Sequence, residues 1–183
     1  MFMKKPENYY LKSGSQTEQT GLIKKISKSF KEKELYLIIE ILYWLKKNIK
    51  QTKSIREKNK FFRKRTADEI IKSRIATGCT DCALAFIAIA RVKGIPTKYV
   101  ETIRNKWFDI EDNDFIEGHV FAECYINGKW HIIDPQEGDI KTAYKRFTIF
   151  KKGLDSWDIG IENIDDLKNK FLKFKEEYRA KKS

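Results

Sequence analysis

Between Lys33 and Lys50, apolar residues recur at spacings of three and four, which predicts an amphipathic helix. Its lysines gather at the C-terminal end, where the helix dipole favours positive charge. Residues 51–65 follow as a predicted basic linker. The sequence Thr66-Ala67-Asp68-Glu69 then indicates the start of a short helix, because acidic side chains stabilise a first helical turn.

The segment 79–93 differs because residues 83–90 are all apolar and leave no polar face. Such a helix is expected to be buried on all sides. Asp81 lies in its first turn and Arg91 in its last, as the helix dipole favours. Gly94-Ile95-Pro96 predicts the end of the helix, since glycine caps helices and proline cannot continue them.

Strand patterns dominate the next part of the chain. Asn127-Gly128 separates two alternating apolar runs, which strongly indicates a β-hairpin. The predicted elements are a strand at 97–103, an acidic loop at 104–116, strands at 117–126 and 129–133, a short strand near 147–150 and an exposed helix at 165–181. A buried helix followed by antiparallel strands indicates the α+β class.

The length of 183 residues suits one domain, which we assign to residues 21–183 with a core of about 33–136. Residues 1–20 are polar and predict a loosely held N-terminal arm. No segment reads as a signal peptide, and the longest apolar run, 35–45, is too short to span a membrane. The three cysteines require no oxidising compartment, so we expect a cytoplasmic protein.

The formal net charge of +12 is unevenly distributed. Residues 24–65 carry fifteen Lys or Arg against four Glu, whereas residues 101–140 carry ten Asp or Glu against three Lys or Arg. No nucleic-acid-binding motif accompanies the basic part, which predicts solvated helix faces and leaves nucleic acid a minor alternative as partner. The acidic loop, with Glu111, Asp112 and Asp114, suggests the hypothesis of a cationic substrate.

Three residues could together carry covalent chemistry: Cys79, His119 and Asp134. Cys79 opens the buried helix, where backbone N–H groups and the helix dipole stabilise a thiolate and could also hold an oxyanion. His119 and Asp134 lie on the two strands of the hairpin, eight residues before the turn and six after it. They could touch if the register shifts or bulges slightly. A thiol, an imidazole and a carboxylate are the parts of a cysteine-nucleophile triad.

Four motifs resemble those of the transglutaminase-like superfamily, which has a papain-like fold, over roughly residues 33–136. They are Gly78-Cys79-Thr80-Asp81-Cys82-Ala83, Arg91-Val92-Lys93-Gly94-Ile95-Pro96, Gly118-His119-Val120-Phe121-Ala122-Glu123 and Gly128-Lys129-Trp130-His131-Ile132-Ile133-Asp134-Pro135. The segment 44–50 is also similar to the family's helix before the nucleophile. Many members end that helix in Tyr, where this chain has Gln51.

The resemblance implies a cysteine hydrolase or acyltransferase that needs no cofactor or metal. Cys79 would attack the amide of a peptide, a protein or a small molecule, and water or an amine would resolve the thioester. The Cys79 backbone N–H and the Gln51 amide are candidates for the oxyanion hole. Trp107 and Trp130 are candidate substrate contacts, with core or lid packing as the alternative.

Other interpretations of the same residues remain open. Cys79 and Cys82 form a Cys-x-x-Cys pair, which also occurs in redox and zinc sites, although no second paired motif is present. Cys82 and Cys124 are most simply small buried apolar residues. The chain could also be a non-catalytic scaffold that binds a protein partner.

Overall fold

A computed structural model of the chain describes residues 6–111 and 115–181. The helices of these residues are α1 (Gly21–Ser27), α2 (Glu34–Asn48), α3 (Ile55–Phe61), α4 (Ala67–Ser73), α5 (Cys79–Val92) and α6 (Ile164–Ala180), with 3-10 turns at Glu7–Leu11 and Asn105–Asp109. The strands are β1 (Lys50–Gln51), β2 (Ile75–Ala76), β3 (Thr97–Arg104), β4 (Gly118–Ile126), β5 (Lys129–Asp134), β6 (Asp139–Lys141) and β7 (Phe147–Gly153).

Five strands form an antiparallel sheet in the order β6-β5-β4-β3-β7. The chain turns tightly from β4 into β5 at Asn127 and Gly128, which both have positive φ angles, as the Asn-Gly signal predicts. The short strands β1 and β2 pair in parallel beside the start of α5. This pairing brings the end of α2 and the residues before Cys79 to the same place.

Helix α5 is the centre of the core, and residues 80–91 are all buried. It contacts α1, α2 and α4 on its sides and packs on β3 and β4 of the sheet. The sheet presents Tyr99, Val120 and Ala122, each fully buried, to this shared core. The predicted α+β class, with a buried helix on an antiparallel sheet, is confirmed.

The N-terminal segment differs from its prediction. Tyr10 is buried, and Gln16 and Thr17 are fully inaccessible to solvent. Gln16 Nε2 donates to the carbonyl oxygens of Arg63 and Arg65, each at 3.0 Å. For residues 6–20 the prediction of a loosely held arm is wrong, because polar side chains of this segment satisfy buried backbone groups of the domain.

Arg91, in the last turn of α5, ties three parts of the chain together. Its guanidinium donates to the carbonyl oxygens of Tyr10, Thr97 and Leu154 at 2.7 to 3.1 Å. It also donates to Thr17 Oγ1 at 2.7 Å. Burial lowers the pKa of Arg91 to about 10, so the side chain stays charged at neutral pH.

The structure differs from the prediction in two other segments. The predicted basic linker contains α3, which Ser54 caps by accepting from the Glu57 backbone N–H and which buries no residue. Helix α6 is amphipathic, because Leu167 and Phe171 on one face are buried. Among the described residues, none of the helices combines the length and the apolar content needed to cross a membrane.

Candidate active site

Cys79 is the first residue of α5, and its side chain is half-buried. Asp81 holds the turn before it: Asp81 Oδ2 accepts from the backbone N–H and the hydroxyl of Thr77, each at 2.7 Å. Arg65 forms an ion pair with the same oxygen. These contacts fix the thiol at a helix N-terminus, where unpaired N–H groups stabilise negative charge.

His119 and Asp134 are in contact through His119 Nε2 and Asp134 Oδ2, which lie 2.9 Å apart. The β4–β5 register is uninterrupted from Ala122–Ile133 to Ile126–Lys129, so the expected slip or bulge is absent there. One further step along this register places Asp134 opposite Phe121. His119 therefore reaches Asp134 diagonally, from two residues further along the same face of the sheet.

The Cys79 side chain lies close enough to the imidazole of His119 to raise its pKa. Because Nε2 faces Asp134, the nitrogen left for the thiol is Nδ1. Burial alone would lower the pKa of His119, but the hydrogen bonds and charges of Asp134 and Cys79 raise it to about 10. Burial opposes ionisation of Asp134, yet the hydrogen bond with His119 holds the pKa of that carboxyl below its ordinary value. The arrangement favours an imidazolium beside a carboxylate at neutral pH.

Aromatic side chains flank the imidazole. The ring of Phe121 meets it edge-on at 4.7 Å between centroids, and that of Phe147 lies at 5.6 Å. Tyr144 packs edge-on against Phe121 at 5.2 Å. This packing restricts the rotamers of His119.

A cavity of about 650 Å³ opens beside His119 and Asp134. We call it the histidine pocket. Arg104 and Phe121 line it from the sheet, and residues of the segment 137–147 form most of its wall. The Cys79 side chain does not line it.

Glu123 is a residue whose role the sequence did not reveal. Its carboxylate accepts from Lys98 at 3.0 Å, and from Tyr144 and Lys152 at 2.6 Å each. Burial opposes its ionisation, but these hydrogen bonds keep the pKa of Glu123 below its ordinary value. The acidic residue of the Gly-His-Val-Phe-Ala-Glu motif thus anchors Tyr144, and with it the wall of the histidine pocket. Nothing in the local sequence identifies these partners, which come from three different strands or loops.

Gln51, on β1, contacts helix α5 at Cys82, one turn after Cys79. Its Nε2 donates to the Cys82 thiol at 2.9 Å, and the residue is exposed. The structure therefore brings the Gln51 amide to the helix start. Cys82 and Cys124 are buried, as predicted, and burial raises the pKa of each to about 12.

The two candidate tryptophans lie elsewhere, and neither lines the histidine pocket. Trp107 is fully buried and packs on Phe108 and Phe171. Trp130 packs on Tyr10, with the Lys98 ammonium 3.3 Å above its ring centroid. The structure thus places both in packing positions, which was the alternative interpretation.

Four of the ten acidic residues of 101–140 form ion pairs with Lys or Arg. Glu101 pairs with Arg63, Glu117 with Arg104, Glu123 with Lys98 and Lys152, and Asp139 with Lys141. Glu111 is exposed, and Asp112 and Asp114 lie outside the described residues. The negative charge of the segment is therefore partly neutralised, and the hypothesis of a cationic substrate, which rests on Glu111, Asp112 and Asp114, stays a prediction.

Comparisons with known proteins place this geometry in context. The sequence model of the transglutaminase-like superfamily matches residues 22–135, more than half of the chain. No curated protein sequence matches. A crystal structure from Cytophaga hutchinsonii, named a "Putative Cysteine Protease", matches with a TM-score of 0.63 and 18% sequence identity. The match covers 84% of this chain but only 49% of that protein, and the likeness shows a shared fold.

Proposed function

Because the chain belongs to the transglutaminase-like superfamily, we propose that it is a cysteine-dependent enzyme that breaks an amide bond through a thioester. Cys79 is the nucleophile, His119 the general acid and base, and Asp134 the residue that orients the imidazole. The observation that carries the proposal is the 2.9 Å contact between Asp134 Oδ2 and His119 Nε2, with the Cys79 thiol close enough to the same imidazole to raise its pKa.

In the first half of the reaction, the Cys79 thiolate attacks the amide carbonyl carbon and a C–S bond forms. The developing oxyanion accepts hydrogen bonds from the Cys79 backbone N–H and from the Gln51 amide. The C–N bond then breaks, and the imidazolium of His119 gives its proton to the leaving nitrogen. A thioester and a free amine result.

In the second half, His119 takes a proton from water, and the resulting hydroxide adds to the thioester. The C–S bond breaks, and the thiolate and a carboxylic acid are released. Water as the acceptor makes the protein an amidase, deamidase or protease, and an amine would make it a transglutaminase. We favour hydrolysis, which agrees with the name of the structural relative.

Cysteine alkylation tests the proposal before any substrate is known. The rate of each cysteine with iodoacetamide is followed against pH by peptide mass spectrometry, in the wild-type chain and in His119→Ala. Cys82 and Cys124 serve as internal references because they are buried thiols. We expect rapid labelling of Cys79 that persists below pH 7 and is lost in His119→Ala.

Labelling of Cys79 at the rate of the two reference cysteines would refute a thiolate–imidazolium pair. It would favour the non-catalytic scaffold that binds a protein partner. Confirmed labelling would be followed by screening of peptide and small amides, with ammonia or amine release as the readout.

A further inference from the structure

The position of the histidine pocket decides which part of a substrate it meets. His119 and Asp134 line it, whereas Cys79 does not. In the proposed reaction, the acyl group becomes attached to Cys79, and the departing amine receives its proton from His119. A cavity on the histidine side therefore faces the leaving amine.

The ionisable side chains of the pocket are mainly basic. Four cations line it: Arg104, Lys141, Lys145 and Arg146. Arg104 pairs with Glu117 at 3.0 Å, and Lys141 pairs with Asp139 at 2.7 Å. Lys145 and Arg146 are exposed, and neither forms an ion pair with any residue that the structure describes.

The carboxylates of the pocket do not balance these cations. Asp134 is engaged by His119, and Glu137 is the other acidic residue of the lining. The charges of His119 and Asp134 offset each other, and Lys145 and Arg146 exceed Glu137 by one positive charge. The pocket therefore attracts anions and repels amines that carry a second cation. Phe121, Tyr144 and Phe147 offer apolar surface beside the charged rim.

We infer that the histidine pocket selects a leaving amine that carries a carboxylate. Such a group is either an acidic residue that directly follows the scissile amide or the free C-terminal carboxylate of a one-residue leaving group. The volume of about 650 Å³ is large enough for a side chain of this kind. This inference rests on the proposed function and specifies the substrate class of the same site.

Chloroacetamides test this inference. The Cys79 thiolate displaces chloride from their methylene carbon, and the substituent on the amide nitrogen takes the place of the leaving amine. Four reagents are compared: N-chloroacetyl-aspartic acid α-amide, N-chloroacetyl-alanine, N-chloroacetyl-asparagine amide and N-chloroacetyl-lysine amide. The first carries a side-chain carboxylate and the second a C-terminal one. The asparagine reagent is the neutral isostere, and the lysine reagent carries a positive charge.

We expect at least one carboxylate reagent to alkylate Cys79 about fivefold faster than the asparagine reagent at low ionic strength. The faster of the two identifies the source of the carboxylate. The lysine reagent is expected to be the slowest. The preference should decline as salt is added, because about 0.1 M salt screens exposed charges beyond about 10 Å.

Charge reversal locates the effect. In the double variant Lys145→Glu/Arg146→Glu, the preference for carboxylate should disappear or reverse. The matched control is Lys25→Glu/Lys28→Glu, at two exposed positions on and next to α1 that do not line the pocket, and it should keep the preference. Thermal unfolding checks that both variants fold. If one variant does not fold, the salt dependence of the carboxylate preference in the wild-type chain still tests the inference.

Two patterns of results separate the possible failures. If Cys79 reacts rapidly but without preference for carboxylate, or if the preference survives in Lys145→Glu/Arg146→Glu, this inference is wrong and the proposed function stands. If Cys79 reacts no faster than Cys82 and Cys124 with every reagent, the proposed function itself fails.

Discussion

Gly118 lies so close to Phe171 that a Cβ atom on the glycine would be 2.9 Å from Phe171 Cε2 and 2.8 Å from the Thr102 carbonyl oxygen. Helix α6 therefore packs against β4 at the residue before His119. We expect Gly118→Ala to destabilise the fold by about 1 to 3 kcal/mol, because the neighbouring backbone cannot move aside freely. Urea unfolding measures the change.

Gly78, the residue before Cys79, is the matched control for this substitution. A Cβ atom there would have no neighbour within 4 Å, and its φ of 171° is extended backbone that alanine adopts. Gly78→Ala should therefore change the free energy of unfolding by less than about 0.5 kcal/mol. Equal effects at the two glycines would contradict the close packing at Gly118.

The second prediction concerns the pKa of His119. Its pKa of about 10 means that the imidazolium holds its proton at neutral pH and loses it as the pH rises toward 10. Chemistry that needs a proton from His119 should decline over the same range. In Asp134→Asn, burial still disfavours the charge but the carboxylate is gone, so the pKa should fall by at least about one unit.

NMR titration of the ring nitrogens measures this pKa directly, with His119→Gln used to assign the signal. Asp139→Asn is the control, since that carboxylate pairs with Lys141. A His119 pKa near its ordinary value in wild type, or one that Asp139→Asn shifts as much as Asp134→Asn does, would refute the assignment of Asp134 as the partner.

Gln51 offers a third prediction, because its amide reaches the first turn of α5. If the amide also donates to the oxyanion, Gln51→Ala should lower kcat on an amide substrate at least tenfold. Cys79 of the Gln51→Ala variant should be alkylated at the wild-type rate, since alkylation forms no oxyanion. Lys50→Ala, at the exposed neighbouring position on β1, is the control. Unchanged kcat in Gln51→Ala would leave Gln51 as a hydrogen-bond partner of Cys82 alone.

Arg91 provides a fourth prediction, on stability. Arg91→Met would leave three buried carbonyl oxygens short of a donor, each at a cost of about 1 kcal/mol or more. We therefore expect a loss of at least about 3 kcal/mol in urea unfolding. Arg56→Met, on the exposed face of α3, should stay within about 0.5 kcal/mol of wild type. A small effect of Arg91→Met would show that the N-terminal segment is held by other contacts.

Local sequence signals predicted the centre of the fold well. The run of apolar residues at 83–90 could only be buried, and glycine and proline after Lys93 ended the helix close to where α5 ends. Asn127-Gly128 correctly predicted the hairpin turn, and therefore the two paired strands that carry His119 and Asp134. The family match adds independent support for this fold.

Features that depend on distant partners could not be predicted in the same way. Gln16 looks like an ordinary polar residue of a terminal arm, yet its partners are the Arg63 and Arg65 carbonyls. Strand β6 has only three residues, too few to show an alternating pattern. A charge count has the same limit, because a count along 101–140 cannot reveal which acids pair with cations from other segments.

The pocket wall has a practical consequence for engineering. One continuous stretch, 137–147, supplies most of the lining, while Cys79, His119 and Asp134 are all held by elements outside it. Tyr144 is its anchor to Glu123 and would be kept. A combinatorial library restricted to the remaining positions of 140–146 would vary the shape and charge of the pocket while leaving Cys79, His119 and Asp134 unchanged.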